Sequence, residues 1–409
     1  MTRILVVAGE ASGDLHAAGV VRELRLRRPD VELFGMGGDH LRAAGAETVF
    51  DSHEIAVMGI SEVLGRLPRI LAALRGLTRL AEERRPAVAF LVDAPDFNLR
   101  LAKRLRRLDI PVVYYISPTV WAWRPRRTRQ LARTVDRLLC IYPFEEPFLR
   151  ARGVRASYVG NPLLDAPAPA LEGAAARLSL GLDPSVPTLA LLPGSREREV
   201  ERLFPAMLEA ARRLAADGPL QLLVPVAPTI DLSRLEKLAA GLPVPIKLLR
   251  ARASDLLAAA DAALVASGTA TLEAALARKP MVVVYRVSWL TWIVGRLLVR
   301  VAHVALVNIL AGRLIVPELL QSAMTPAAMA DALRQVWRNS GRRAEILEGY
   351  REVRELLGGP GAAGRVADAI LETVDAKLAA DGSLQRQVRS SDRSGRAALS
   401  DGAIQPIRR

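Results

Sequence analysis

The chain has 409 residues, 51% of them apolar, enough for two or three domains with large cores and inconsistent with a disordered chain. Lys and Arg total 57 against 43 Asp and Glu, a net +14, which points to acidic partners: nucleic acid, phosphorylated substrates or an anionic membrane. Aromatics are only 4%, which argues against single-stranded nucleic acid, and the single cysteine, Cys140, excludes a disulfide framework within one chain and fits a reducing cytoplasm.

The N-terminal apolar run 4–8 is too short for a signal segment and reads as a first strand. It ends at Gly9-Glu10-Ala11-Ser12-Gly13-Asp14, with a helix expected over about 15–28. Such a turn can aim backbone N–H groups at an anion, or Ser12 or Asp14 can simply cap the helix. It is not the dinucleotide fingerprint. Residues 31–38 form a strand running into a glycine loop. Residues 58–80 then place Ile60, Val63, Leu64, Leu67, Leu71 and Leu74 at helical spacing, with Pro68 expected to divide two helices. Arg69, Arg75 and Arg79 accompany the stripe, so this is either a core helix or one lying on lipid.

The buried-strand pattern 88–92 ends at Asp93-Ala94-Pro95-Asp96-Phe97-Asn98. Asp93 stands at the carboxyl end of a central strand, where open α/β sheets bind ligands, and is a candidate general base. A cap for the following helix is the alternative, and Asp96 fits that role better. A basic helix (99–107) and a strand (111–116) lead to Ser117-Pro118-Thr119-Val120-Trp121-Ala122-Trp123, followed by Arg124, Arg126, Arg127 and Arg129. This loop reads as a groove wall with a phosphate-facing basic rim, or as a helix docked by its tryptophans. Strands 137–141 and 158–159 complete a doubly wound parallel sheet.

The Ala/Pro-rich stretch 166–187 reads as a linker region, and strand–helix alternation restarts at 188–192. There Gly194-Ser195-Arg196 suits phosphate: small residues admit the backbone and Arg can bind two oxygens. Strands 222–226 and 246–249 follow. The strand 262–266 leads into Ser267-Gly268-Thr269-Ala270-Thr271-Leu272-Glu273, whose N–H groups and hydroxyls can hold a diphosphate while Glu273 takes ribose hydroxyls; an ordinary capped helix is the alternative. After strand 281–285 comes the apolar segment 289–310, with Arg296, Arg300 and His303 as one polar stripe. It is charged in mid-segment and so is not expected to span a membrane. Asn308 and Glu318 flank another candidate ligand loop. Four scattered histidines offer no metal constellation. The expected organisation is a Rossmann-like domain over 1–165, the linker 166–187, a second Rossmann-like domain over 188–345, C-terminal helices over 346–378 and a disordered tail over 379–409.

Six motifs in register resemble the lipid-A-disaccharide synthase family: residues 9–14, Ala56-Val57-Met58-Gly59, 93–98, 117–123, Leu191-Leu192-Pro193-Gly194-Ser195-Arg196, and 267–273. The resemblance runs from about residue 3 to 370. It implies a GT-B fold, two Rossmann-like parallel-sheet domains facing a cleft, and an inverting glycosyl transfer from UDP-2,3-diacylglucosamine to 2,3-diacylglucosamine 1-phosphate (lipid X), with no bound metal or other cofactor. Asp93 matches the family's catalytic carboxylate, Arg196 its arginine and Asn308 its loop asparagine; here Val307 stands where the family commonly has proline. Gly194, Ser195, Arg196, Ser267, Gly268, Thr269, Thr271, Glu273 and Asn308 are the expected donor side. Glu10, Ser12, Gly13 and Asp14 are the expected acceptor side. Acylated substrates imply cytoplasmic protein held peripherally at the anionic inner-membrane surface, with Ile60, Val63, Leu64, Leu67 and Leu71 as the lipid contact. No nucleic-acid partner is implied, and a homodimer is left open. The rival readings are a UDP-sugar epimerase on the same fold and a non-catalytic basic module binding phosphates.

Overall fold

The computed structural model describes residues 2–52, 60–122, 125–288 and 302–400, with side chains described from residue 68 in the helix that starts at Ile60 and up to residue 383 in the helix that ends at Ser400. Two all-parallel sheets form its frame. The first has β1 (Arg3–Ala8), β2 (Glu32–Gly37), β3 (Glu47–Asp51), β4 (Val88–Val92), β5 (Val112–Tyr115), β6 (Arg137–Cys140) and β7 (Ala156–Tyr158), in the order β3-β2-β1-β4-β5-β6-β7. The second has β8 (Thr188–Leu192), β9 (Gln221–Pro225), β10 (Ile246–Leu249), β11 (Ala262–Ala266), β12 (Met281–Tyr285) and β13 (Glu318–Leu320), in the order β10-β9-β8-β11-β12-β13. The central strands are continuous apolar runs because helices cover both faces: β4, β8 and β11 are buried at every position. The chain reverses its winding between β1 and β4, and again between β8 and β11. Each reversal leaves a crevice at the carboxyl ends of the strands. Ala8 pairs with Val92, and Leu192 with Val265, so the paired strands end nearly level at the mouth of each crevice.

On one face of the first sheet, α3 (Ile60–Arg84), α4 (Pro95–Leu105), α5 (Thr128–Thr134) and α6 (Glu145–Arg150) close a core containing Leu74, Leu77, Leu101, Leu105 and Leu131. Pro68 does not divide α3, which runs unbroken. An interior proline costs roughly 3 kcal/mol, and burial of Ala73, Leu74, Leu77 and Ala81 just beyond it offsets that loss. At Gly76 an added Cβ would lie 2.3 Å from Phe50 Cζ, so only glycine lets the β3 ring lie against the helix.

The other face is covered by α1 (Ala11–Arg27) and by the last helix of the chain. α1 begins at Ala11, earlier than expected, so Ser12, Gly13 and Asp14 belong to its first turn and not to a loop. The short α2 (Asp39–Ala43) packs beside α1.

The second sheet carries α8 (Glu197–Ala215), α9 (Leu232–Ala239), α10 (Ala253–Ala259), α11 (Ala270–Leu276), α12 (Leu306–Ala311), α13 (Pro326–Arg338) and α14 (Ser340–Leu356). In the linker region, α7 (Gly173–Ser179) is docked on this half. The Arg177 guanidinium, nearly buried, pairs with Asp261 at 2.5 Å and donates to the Ala259 carbonyl. Of the apolar segment 289–310, residues 289–301 lie outside the described residues.

The helices beyond 345 form no separate unit. Ile346, Tyr350 and Val353 of α14 belong to the core of the second sheet. α15 (Ala362–Ser400) returns to the first sheet, where Val366, Ala367, Ile370 and Val374 fill the core beside α1. Ion pairs fasten it there: Arg27–Asp368 at 2.7 Å, Arg28–Asp375 at 2.9 Å and Lys377–Asp109 at 2.6 Å. Asp165 accepts from the N–H groups of Gly361, Ala362 and Ala363 and caps its start. The tail expected to lack structure from 379 continues as helix to Ser400; residues 401–409 lie outside the described residues. Extending a helix already docked needs no new nucleation, and Ala, Leu, Gln and Arg are strong helix formers. No helix among the described residues is long and apolar enough to cross a membrane.

Candidate active site

Asp93 follows β4 directly. It and Ala94 both have positive φ, 48° and 44°, two consecutive non-glycine residues in the left-handed region. Such strain persists only where the surroundings hold it, and it clusters at functional sites. Three donors hold it here. The Tyr114 hydroxyl donates to the Asp93 carbonyl at 2.5 Å, and the Asn98 amide donates to the carbonyls of Val92 at 3.0 Å and Asp93 at 2.8 Å. These bonds fix the backbone at the kink that carries the Asp93 carboxyl. Burial, reinforced by the neighbouring Glu10 carboxylate, pushes Asp93 up to about 6, against the pull of a hydrogen bond from Ala94 and of the Arg196 charge.

Arg196 lies on the second sheet, at the turn between β8 and α8. Its charge acts weakly on Asp93, pulling against the effect of burial. Its Nη1 donates to Glu199 at 3.1 Å, yet the side chain stays half exposed. Gly194 has φ +106°, and a Cβ there would stand 2.6 Å from Glu199 Oε2, so glycine is required for this turn to close under Glu199. Thr229 Oγ1 donates to the Ser195 carbonyl at 2.6 Å and pins the loop from β9. The Ser267–Thr271 turn opens at the next strand end. Ser267 Oγ donates to the Val304 carbonyl, and Thr271, fully buried, donates to the Gly268 carbonyl. Thr269 is exposed and Gly268 has open space beside it. Glu273 is largely buried one turn along, and burial raises its carboxyl above the usual range.

Four expectations change. The Asp14 carboxylate is buried and accepts from Gly38, His40 and Leu41 N–H groups, so it caps α2 and is not free to meet an acceptor. Gly13 is a helical residue packed against Val92, leaving Glu10, half-buried, and Ser12, exposed, at the mouth of the first crevice. The Asn308 amide is saturated: Nδ2 donates to the Val316 carbonyl and Glu318 Oε1, while Oδ1 accepts from Ile315 and Val316 N–H. It organises the loop and has no group left for a donor. Asp96 does not cap α4 by its side chain but pairs with Arg127.

The motif 56–59 lies outside the described residues, as do the side chains of Ile60, Val63, Leu64 and Leu67; Leu71 is half-buried. Sequence reasoning missed Tyr114, Asn98 and Glu145. Glu145 is buried, accepts from Trp121 Nε1 at 3.1 Å and Tyr142 N at 3.2 Å, and is pushed by burial up to about 8. Trp121 packs edge-on against Phe144, and Tyr142 sits in the core of the second half. No group of three or more His, Cys, Asp or Glu among the described residues is placed to hold a metal ion.

A half-buried carboxyl that titrates near 6 thus stands at the carboxyl end of the first sheet, and a half-exposed guanidinium follows the strand end of the second. A family model described as lipid-A-disaccharide synthetase matches residues 4–361. The lipid-A-disaccharide synthase of Myxococcus xanthus (strain DK1622) is 56% identical over 371 residues, covering 90% of this chain and 97% of its own. That of Anaeromyxobacter dehalogenans (strain 2CP-1 / ATCC BAA-258) is 54% identical over the same shares. Among solved structures, S. aureus MnaA with UDP superposes with a TM-score of 0.62 at 12% identity, covering 92% of this chain and 97% of that one. The calicheamicin glycosyltransferase CalG4 gives 0.58 at 18%, covering 92% and 98%. UDP-GlcNAc 2-epimerase from Neisseria meningitidis, bound to UDP-GlcNAc, gives 0.57 at 13%, covering 91% and 99%. At such identities the likeness is one of fold, and the fold is GT-B.

Proposed function

The chain belongs to the lipid-A-disaccharide synthase family, and from that premise we propose how its residues carry out the transfer. It is a glycosyltransferase that forms the lipid A disaccharide. The donor, UDP-2,3-diacylglucosamine, binds the second sheet through Gly194, Ser195, Arg196, the Ser267–Thr271 turn and Glu273. The acceptor, 2,3-diacylglucosamine 1-phosphate, binds the first sheet beside Glu10 and Ser12. Asp93 takes the proton of the acceptor 6-hydroxyl as that oxygen attacks the anomeric carbon on the face opposite the diphosphate. The new C–O bond forms as the bond to the diphosphate breaks, configuration inverts, and UDP leaves with the electron pair. Arg196 and the N–H groups near Ser267–Thr271 stabilise the departing charge.

The observation that carries this reading is Asp93 itself, held in a left-handed kink at the end of β4 with its carboxyl raised, mainly by burial, to about 6. A carboxyl titrating near 6 is ionised at neutral pH and still basic enough to accept a proton. Asp93→Asn is expected to lower acceptor-dependent UDP release by roughly 10²–10⁴-fold with UDP affinity unchanged. The kcat/KM of the native protein should fall on an acid limb near pH 6, because the base is lost as it protonates. Undiminished turnover in the variant sinks the assignment. The epimerase reading shares the fold alone; it requires conversion of a UDP-sugar with no acceptor present.

The acyl chains of both substrates favour work at an anionic membrane surface. Supporting this, Arg75 and Arg79 are exposed on α3, and Arg100, Lys103, Arg106 and Arg107 are exposed on or just after α4, which packs beside it. Such basic surface strengthens binding to anionic lipid by about 1 kcal/mol per residue near the surface.

A further inference from the structure

We propose that Arg127 binds the 1-phosphate of the acceptor, an inference that rests on the transferase reading above. A phosphomonoester carried on the far side of the same sugar ring needs a cation on the first sheet, close to Asp93 but not beside it. Arg127 ends a 3-10 turn, Pro125–Arg127, immediately before α5. Its backbone is pinned: Thr128 Oγ1 donates to the Pro125 carbonyl at 2.6 Å, and Gln130 Nε2 donates to the Leu99 carbonyl at 3.3 Å, fastening α5 to α4. On the other side of the same loop, Trp121 is held by Glu145. The turn that carries Arg127 is therefore fixed in place, and its guanidinium is directed by Asp96.

Its counter-ion marks the spot. Among the described residues Arg127 donates to Asp96, three residues after Asp93, in the first turn of α4. The two partners differ in exposure: the Arg127 side chain is 21% exposed, the Asp96 side chain 76%. A mostly covered guanidinium is held by a carboxylate that stands mostly in water. Because the Asp96 carboxylate is well hydrated on its own, turning it into solvent to admit a stronger anion costs little. A guanidinium has five donors in a planar fork, and Asp96 uses one of them at the distances observed. A phosphate dianion matches that fork with two parallel bonds. Because Asp96 stands in the first turn of the helix that follows Asp93, the fork bonded to it lies on the same side of the first sheet's mouth as the base. Arg126 and Arg129 on the same turn are exposed and add diffuse positive charge around it.

The test compares the 1-phosphate acceptor with the same diacylglucosamine lacking the phosphate, by UDP release, in the native protein, Arg127→Gln, Arg127→Lys and Asp96→Asn. Loss of a charge-assisted bidentate contact predicts a KM for the phosphorylated acceptor raised roughly 10- to 100-fold in Arg127→Gln. Donor KM and turnover of the phosphate-free acceptor stay at native values. Arg127→Lys, which retains the charge but not the fork, falls between, and Asp96→Asn binds the phosphorylated acceptor as well as or better than the native protein. Equal losses with both acceptors overturn the inference, because Arg127 would then serve only to tie α4 to the loop. An unchanged KM for the phosphorylated acceptor overturns it too. UDP release that needs neither acceptor overturns the transferase reading and the inference with it.

Discussion

Glu145 keeps its proton in the folded protein well above the ordinary glutamate range, because burial penalises its charged form more than its N–H partners favour it. With a folded value near 8 and a lower unfolded value, the folded state binds more protons over the interval between them. Stability is therefore complete at acid pH and is lost as pH rises toward 8, with a slope of at most about 1.4 kcal/mol per pH unit for one proton. Melting temperatures followed from pH 5 to pH 8 should fall for the native protein and stay flatter for Glu145→Gln; equal slopes would refute the assignment. Glu145 was hidden because a glutamate before an amphipathic turn looks like any surface acid. The places of Asp93, directly after β4, and of Arg196, in the turn after β8, were legible because each follows an apolar run too uniform to be anything but a central strand. Asp14 and Asn308 misled for one reason. Short polar side chains at strand ends satisfy backbone groups as readily as ligands, and the sequence pattern is the same for both. Asn98 shows the cost of such a role: its Oδ1 is buried without a partner while its amide nitrogen serves two carbonyls.

Among the elements, β4, β8, β11 and β12 were readable to the residue because nothing but a doubly covered strand is so apolar over five positions. β3 and β13 escaped. They are edge strands, half exposed, and Glu47-Thr48-Val49-Phe50-Asp51 and Glu318-Leu319-Leu320 carry no apolar run. α3 bears on the membrane proposal through its C-terminal half. Ile70, Ala73, Leu74, Leu77, Leu80 and Ala81 pack on the first sheet, so the apolar stripe turns to the core toward its C-terminal end, while Leu71 stays outside that cluster. The membrane proposal therefore rests on its first half. Changing Val63, Leu64, Leu67 and Leu71 to Ser should release the protein from anionic vesicles in a sedimentation assay while its melting transition persists. Continued co-sedimentation with vesicles would refute the lipid contact, and loss of the transition would assign those residues to the core.

The whole molecule is two sheets whose crevices meet, but the chain does not divide as neatly as its sequence. Alternation of strand and helix was enough to predict two Rossmann-like halves. It could not show that the last helix belongs to the first half, because the apolar spacing of 366–374 says that a helix is buried and not against what. That helix is part of the core of the first half. Ile370 is fully buried between α1 and the first sheet, and Ile370→Ala is expected to cost about 2–5 kcal/mol. Denaturant unfolding followed on the first half should show the loss; a difference under about 0.5 kcal/mol would place α15 outside that core.

The return of α15 sets a schedule for synthesis. Strand β7 ends at Tyr158, but Val366–Val374 leave the ribosome only after some two hundred further residues have been made. At about 5–20 residues per second that is a delay of roughly 10–40 s, during which the first half has its strands but lacks one wall of its core. The second half, whose core is complete once α14 has emerged, can close earlier. The half translated first is thus the half finished last, and a chain stalled between the two events would present the uncovered face of its first sheet to chaperones and proteases.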